Sequence, residues 1–149
     1  MLESDVTLLQ VRGGELADAG SWVYVWVKAG PQHEPVIYVG ATGLPPAVRT
    51  WLHLHDSDPE IGRLAARYNE LACENLDVLA FAVPGHLPRR LVKDAVVQRL
   101  HRQGLLAEQY VGDPPESQPT PEDVAEVTEQ IVAAVIGYGR TAAERRHCC

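Results

Sequence analysis

VIYVGATGLPPAVRTWLHLH, Val36 to His55, brings a tyrosine, a glycine turn, an arginine and two histidines into one stretch. Its first half is β-branched and aromatic, as a half-buried strand requires. Gly43, Pro45 and Pro46 then end the strand and open a helix, whose first turn tolerates proline. Upstream, SWVYVWVKAG (21–30) has the same strand character, and PQHE between the two runs suits a hairpin connection, so the two strands are expected to pair antiparallel. Downstream, LDVLAFAVPG (76–85) is a third strand bounded by Pro84 and Gly85, and DVTLLQV (5–11) is a weaker fourth.

Helices fill the gaps. LPPAVRTWLHLH is the first, and DSDPEIGRLAARYNELAC follows with an Asp/Ser cap and a first-turn proline. LPRRLVKDAVVQRLHRQG ends at a glycine, and TPEDVAEVTEQIVAAVIGYG opens with Thr120 as cap and Pro121 as first helical residue. The fold class is therefore α/β in the α+β sense: a small antiparallel three-stranded sheet, with a weaker N-terminal fourth strand, flanked by helices and followed by an extra C-terminal helix. The chain divides into a domain over 1–111 with its core at 20–104, a linker-like loop GDPPESQPTP at 112–121, and a C-terminal helix and frayed tail at 122–149.

On a helical wheel at about 100° per residue, Leu44, Val48, Trp51, Leu52 and His55 share one arc, which assigns His55 to the core. Arg49 and His53, four apart, sit about 40° from each other on the flank of that arc and are expected to point together into a groove beside the sheet. Cys73 falls in an apolar-periodic stretch and reads as an inert core thiol. His147, Cys148 and Cys149 read as a frayed tail, because two adjacent thiols and one histidine make an incomplete ligand set.

The composition, 46% hydrophobic and 22% charged, is that of a globular protein. No apolar run approaches the roughly 18 residues of a membrane span, and MLESDVTLLQ lacks the basic and apolar regions of a secretory signal, so the expectation is a cytoplasmic protein without a membrane partner. The net charge of −7 is unevenly spread. Residues 107–129 hold seven acids and no Lys or Arg, whereas HLPRRLVKDAVVQRLHRQ (86–103) carries five bases against one acid, a strip able to attract phosphate.

The order VYV (23–25), YVG (38–40), then Arg49 with His53 after it resembles the GIY-YIG nuclease superfamily. The resemblance covers roughly residues 20–104 and is densest in YVGATGLPPAVRTWLH. It implies the element order β-β-α-α-β-α and a site that hydrolyses DNA phosphodiesters with Mg²⁺ or Mn²⁺. Arg49 would grip phosphate oxygens with its planar fork while its charge favours a phenolate from Tyr24 or Tyr38 as general base, and His53 would assist proton transfer or bind phosphate. Cross-strand aromatic packing is the alternative role for the two tyrosines.

Two positions depart from the family pattern. Trp22 stands where a glycine is expected, and Lys93 falls in the slot of the metal-binding glutamate, where an ammonium cannot ligate magnesium. Asp94 is the neighbouring candidate for the metal ligand, with Glu70 or Glu74 as alternative sources of a carboxylate. If catalysis has been lost, Lys93, Arg89 and Arg90 with Arg49 would still form a cationic groove for a phosphate backbone. Three functions are open at this stage: a metal-dependent endonuclease, a non-hydrolytic nucleic-acid-binding module, and a protein-interaction domain. In the last, the acidic segment and C-terminal helix would dock a partner or another copy, or mask the basic helix internally.

Overall fold

A computed structural model describes residues 6–17 and 20–147, with side chains described as far as Thr141. The elements, in order, are β1 (Val11–Arg12), β2 (Glu15–Leu16), β3 (Trp22–Lys28), β4 (Val36–Thr42), α1 (Pro46–His55), α2 (Arg63–Arg67), a 3₁₀ turn at Leu71–Cys73, β5 (Leu76–Ala82), α3 (Arg89–Arg102) and α4 (Glu122–His147). The three-stranded antiparallel sheet that the sequence predicts is present, and its order is β4-β3-β5 with β3 at the centre.

Alternation along the strands divides the interior into two layers. Val23, Val25, Val27, Val36 and Val39 face α3 and α4, where Val92, Val96 and Leu100 form a fully buried stripe and Val124, Ile131, Val132 and Val135 close the layer. Each such side chain contributes about 1.5–3 kcal/mol by leaving water. On the other face Tyr24, Trp26, Ile37 and Tyr38 pack with Leu64, Tyr68 and Ala107. The register slips between Trp26 and Val27, which leaves Ile37 as the extra residue of a bulge and sets Tyr24 opposite Gly40 and Tyr38 opposite Trp26.

Four expectations are corrected. The N-terminal run does not join the main sheet: residues 6–10 form no strand, and Val11–Arg12 pairs only with Glu15–Leu16 across a turn in which Gly13 and Gly14 take φ of 59° and 81°. Both edges of β3 are already taken, and the start of β4's outer edge bonds the segment 105–111. The helix expected over DSDPEIGRLAARYNELAC is broken. Asp56 Oδ1 accepts from the Asp58 N–H and Asp58 Oδ1 from the Glu60 N–H, both at 2.9 Å, and these local side-chain bonds compete with helical pairing. Cys73 is consequently exposed.

The fourth correction concerns α1. Leu44, Val48 and Trp51 are 41%, 47% and 59% exposed, His55 is exposed against the Trp51 ring, and it is His53 that is fully buried. The helix turns its most polar flank inward because the sheet face below it ends in the hydroxyls of Tyr24 and Tyr38, which need polar partners. Cys148 and Cys149 lie outside the described residues. No helix among the described residues is long and apolar enough to cross a membrane.

Candidate functional site

Tyr24 and Tyr38 stand on adjacent strands and on the same face, with ring centroids 6.1 Å apart and planes 23° from parallel. His53 enters from α1 and donates or accepts at 2.7 Å between Nε2 and the Tyr24 hydroxyl. The Trp26, Tyr38 and Tyr24 rings surround the imidazole at 5.8, 4.9 and 5.6 Å, edge to face. Gly40 belongs to this arrangement: a Cβ there would overlap the end of the Tyr24 ring and lie 2.8 Å from Tyr38 Cε1. The glycine of YVG is therefore required by the close approach of a ring.

Burial, reinforced by the positive charges of Arg49, Arg63 and Arg67, lowers the His53 pKa to about 3, so the imidazole is neutral. Burial also raises the Tyr24 pKa, helped by Tyr38 and opposed by Arg49, so the phenol keeps its proton. The tautomer of His53 then sets the direction of the bond between them. With the ring proton on Nδ1 the phenol donates to Nε2, and with it on Nε2 the ring donates and the phenol proton is free to meet a ligand. Nδ1 has no partner among the described residues.

Tyr24 and Tyr38 form one wall of a cleft of about 410 Å³, which Ala41, Arg49, Arg63, Arg89, Arg90, Lys93 and Asp113 complete. The arginines come from three helices. Arg49 is steadied by a bond from Nη1 to the Ile61 carbonyl at 3.0 Å, and Arg63 donates to the Tyr38 hydroxyl at 3.2 Å and to the Glu60 carbonyl at 2.9 Å. Arg89, Arg90 and Lys93 occupy the first turns of α3, which has no acidic residue in its first turn. The helix macrodipole places partial positive charge at this end as well. Among the described residues, Arg49, Arg63, Arg89 and Arg90 make no salt bridge.

Lys93 is the cleft cation that does have counter-ions. Its Nζ lies 2.6 Å from Asp113 Oδ2 and 3.3 Å from Asp94 Oδ1. Burial works against the ammonium, but the hydrogen bond and charge of Asp113, with those of Asp94, outweigh it and raise the Lys93 pKa. Reciprocally, the Lys93 hydrogen bond holds the Asp113 carboxyl below its usual range against the opposing effect of burial, and Arg63 and Arg67 add to it.

This donor set does not fit a divalent metal. Asp94 and Asp113 both face an ammonium that already supplies the positive charge, and no group of three or more His, Cys, Asp or Glu able to hold a metal occurs among the described residues. Glu70 and Glu74 do not line the cleft, and Glu74 accepts from the Tyr68 hydroxyl.

The sequence-derived residues Tyr24, Tyr38, Arg49, Arg89, Arg90 and Lys93 thus line one cleft, with His53 directly behind its tyrosine wall. Asp94 sits beside the cleft in an adjoining pocket with Arg90, Asp113 and Glu116. Arg63 and Asp113 were missed. Arg63 lies in a segment read as one continuous helix, and Asp113 lies in an acidic run whose only signal was net charge. That run does mask part of the basic helix: Asp113 pairs with Lys93, and Glu129 of α4 pairs with Arg99. Comparisons of the chain with family models, characterised proteins and solved structures return no match.

Proposed function

We propose that the chain is a divergent relative of the GIY-YIG nucleases that binds the phosphate backbone of a nucleic acid, DNA in the first instance, in the cleft between α1, α2 and the start of α3. One observation carries the reading: four arginines, Arg49, Arg63, Arg89 and Arg90, which make no salt bridge among the described residues, converge on the same cleft from three helices. Planar guanidinium groups are suited to paired phosphate oxygens, and a cluster of unpaired ones costs self-repulsion that a bound polyanion removes. The net charge of −7 is that of the whole chain, and since five cations and one carboxylate line the cleft, the excess of acids lies outside it.

Arg49 would clamp a phosphate from α1 while Arg89 and Arg90 neutralise its neighbours from α3. With the ring proton on His53 Nε2, the Tyr24 hydroxyl, held protonated, serves as a hydrogen-bond donor toward the ligand. Neutralising three to four phosphates of a duplex gives a plot of log K against log salt with a slope of about −2.7 to −3.6. Fluorescence anisotropy of labelled duplex and single-stranded DNA across a salt series tests this. Binding with such a slope supports the reading, and absence of binding at low salt overturns it.

Endonucleolytic cleavage of DNA is the second reading, and the Tyr24–His53 hydrogen bond beside the cleft is the observation in its favour. With the ring proton on Nδ1, a proton taken from the ligand by the Tyr24 oxygen is balanced by transfer of the phenolic proton to His53 Nε2, which leaves an imidazolium. Mg²⁺ or Mn²⁺, implied by the family resemblance, has no fitting donor set here, so no step is assigned to a metal. Plasmid nicking in chelator and in Mg²⁺ separates the possibilities. Binding without nicking supports the first reading, nicking in chelator supports metal-free hydrolysis, and nicking only with Mg²⁺ overturns the reading of the Lys93 site.

A further inference from the structure

We propose that Asp113 is an internal substitute for a ligand phosphate: the strap that follows α3 presents its carboxylate to Lys93, and an incoming phosphate must compete with it for that ammonium. The inference rests on the reading of the cleft as a phosphate-binding site and concerns what limits its affinity.

The strap is a built element. It runs along the start of β4, with Val36 N–H donating to the Leu105 carbonyl at 3.0 Å, Ala107 N–H to Val36 at 2.7 Å and Val111 N–H to Ile37 at 2.9 Å. Tyr110 then donates its hydroxyl to the Asp113 carbonyl at 3.0 Å, and Arg67 donates to the Val111 carbonyl at 3.3 Å, which fixes the backbone on both sides of the turn. The Asp113 carboxylate emerges over Lys93, its oxygen at 2.6 Å, and is the one carboxylate among the residues lining the cleft.

Lys93 is nearly buried, whereas the Asp113 side chain is 52% exposed and lines the cleft beside the ammonium it pairs with. The groups facing that carboxylate are Lys93, Arg63 and Arg67, a field that a phosphate oxygen would also find. Asp94 approaches Lys93 from within α3 itself and does not line the cleft, so it does not block entry. A ligand therefore meets four arginines that make no salt bridge among the described residues and one cation already answered by a carboxylate. A single phosphate gains little at Lys93, and a ligand carrying several phosphates is favoured because the arginines must supply the attraction that displaces Asp113.

The test compares the full-length wild type with Asp113→Asn, which keeps the shape and removes the charge, and with Glu129→Gln, which removes an equal charge from the Arg99 pair away from the cleft. Inorganic tripolyphosphate is titrated calorimetrically and a short DNA duplex by anisotropy. Asp113→Asn is expected to bind both probes about fivefold tighter or more at low salt, and for the duplex the salt slope is steeper by about 0.9 for the phosphate gained. Glu129→Gln should stay within about twofold of wild type. Equal or weaker binding by Asp113→Asn, or an equal gain in Glu129→Gln, overturns the proposal.

A gain for tripolyphosphate with no duplex binding by any form would sink the nucleic-acid reading and leave the Asp113 assignment standing. Equal duplex binding by wild type and Asp113→Asn does the reverse. No binding of either probe overturns both. Should Asp113→Asn fail to fold, the ¹³C shift of the wild-type Asp113 carboxylate is followed during tripolyphosphate titration. Movement to a free-carboxylate shift at saturation supports displacement, and an unmoved signal overturns it.

Discussion

Gly40→Ala tests the placement of the tyrosine wall more directly than any charged substitution. The new methyl group would lie 2.5 Å from Tyr24 Cζ and 2.8 Å from Tyr38 Cε1, closer than carbon atoms approach without displacement. Both rings are almost fully buried and pack against His53, so they can retreat only toward the cleft and away from that contact. Overpacking of this kind costs about 1–3 kcal/mol. Moving Tyr24 also breaks its 2.7 Å bond to His53, leaving a fully buried imidazole with no partner on either nitrogen among the described residues. That adds about 1–3 kcal/mol, so the sum is roughly 2–6 kcal/mol, a large part of a domain stability of about 5–15 kcal/mol. Urea unfolding followed by tryptophan fluorescence measures the difference. Tyr24→Phe in the Gly40→Ala background removes the hydroxyl that meets the methyl, so the double variant should lose less than the sum of the singles. A Gly40→Ala protein within about 0.5 kcal/mol of wild type would refute the packing of Tyr24 over Gly40.

Burial holds the folded His53 pKa near 3 against 6.5 in the unfolded chain, so between these values the unfolded state binds a proton that the folded state refuses. The His53 contribution to stability is thus complete above pH 6.5 and lost as pH falls toward 3, by up to about 1.4 kcal/mol per pH unit. His53→Gln should flatten the upper part of this window, above about pH 4.5 where ordinary carboxylates do not yet titrate, and an unchanged slope there would count against the burial of the ring. Arg49→Ala should weaken DNA binding at least about tenfold while costing about 1 kcal/mol of stability through the lost Ile61 carbonyl bond; anisotropy and urea unfolding read the two separately. Replacing both Arg89 and Arg90 by Ala should reduce the magnitude of the salt slope by about 1.8 with folding intact, and an unaltered slope would remove them from the interface.

The sheet was legible because β-branched and aromatic runs such as SWVYVWVKAG and PVIYVGATG satisfy a local rule, and their pairing follows from a short connection. α1 was misread in orientation for a reason that is equally physical. A helical wheel buries the most apolar arc, yet here the opposing surface is two tyrosines whose hydroxyls require partners, and that requirement turns His53 inward and leaves Trp51 outside. The break before α2 depends on Asp56 and Asp58 bonding to nearby backbone, which competes with the helix that the same Asp/Ser signal suggests. Arg49, Arg89, Arg90 and Lys93 could be found by type and spacing. Asp113 could not, since its position comes from a strap bonded to β4 by main-chain groups that any sequence possesses.

The start of α3 is where sequence, energetics and the proposed function meet. Helices favour acids in the first turn and cations in the last, each by about 0.3–1 kcal/mol, because the free N–H groups carry positive charge. α3 has Arg89, Arg90 and Lys93 in its first two turns, no acid in the first, and Arg99, His101 and Arg102 at its end. Its end obeys the rule and its start inverts it. No capping side chain relieves the start, since the cap position is Pro88 and makes no side-chain bond. Lys93 is answered from within the chain by Asp113 and Asp94, but Arg89 and Arg90 are held at the positive end of a dipole with no salt bridge among the described residues. Opposing the local rule in this way lowers the stability of the free protein and raises what an anion gains on entering. The cations of this helix start are therefore divided: Asp113 and Asp94 steady the ammonium that is nearly buried, and the more exposed guanidinium groups are left for the ligand.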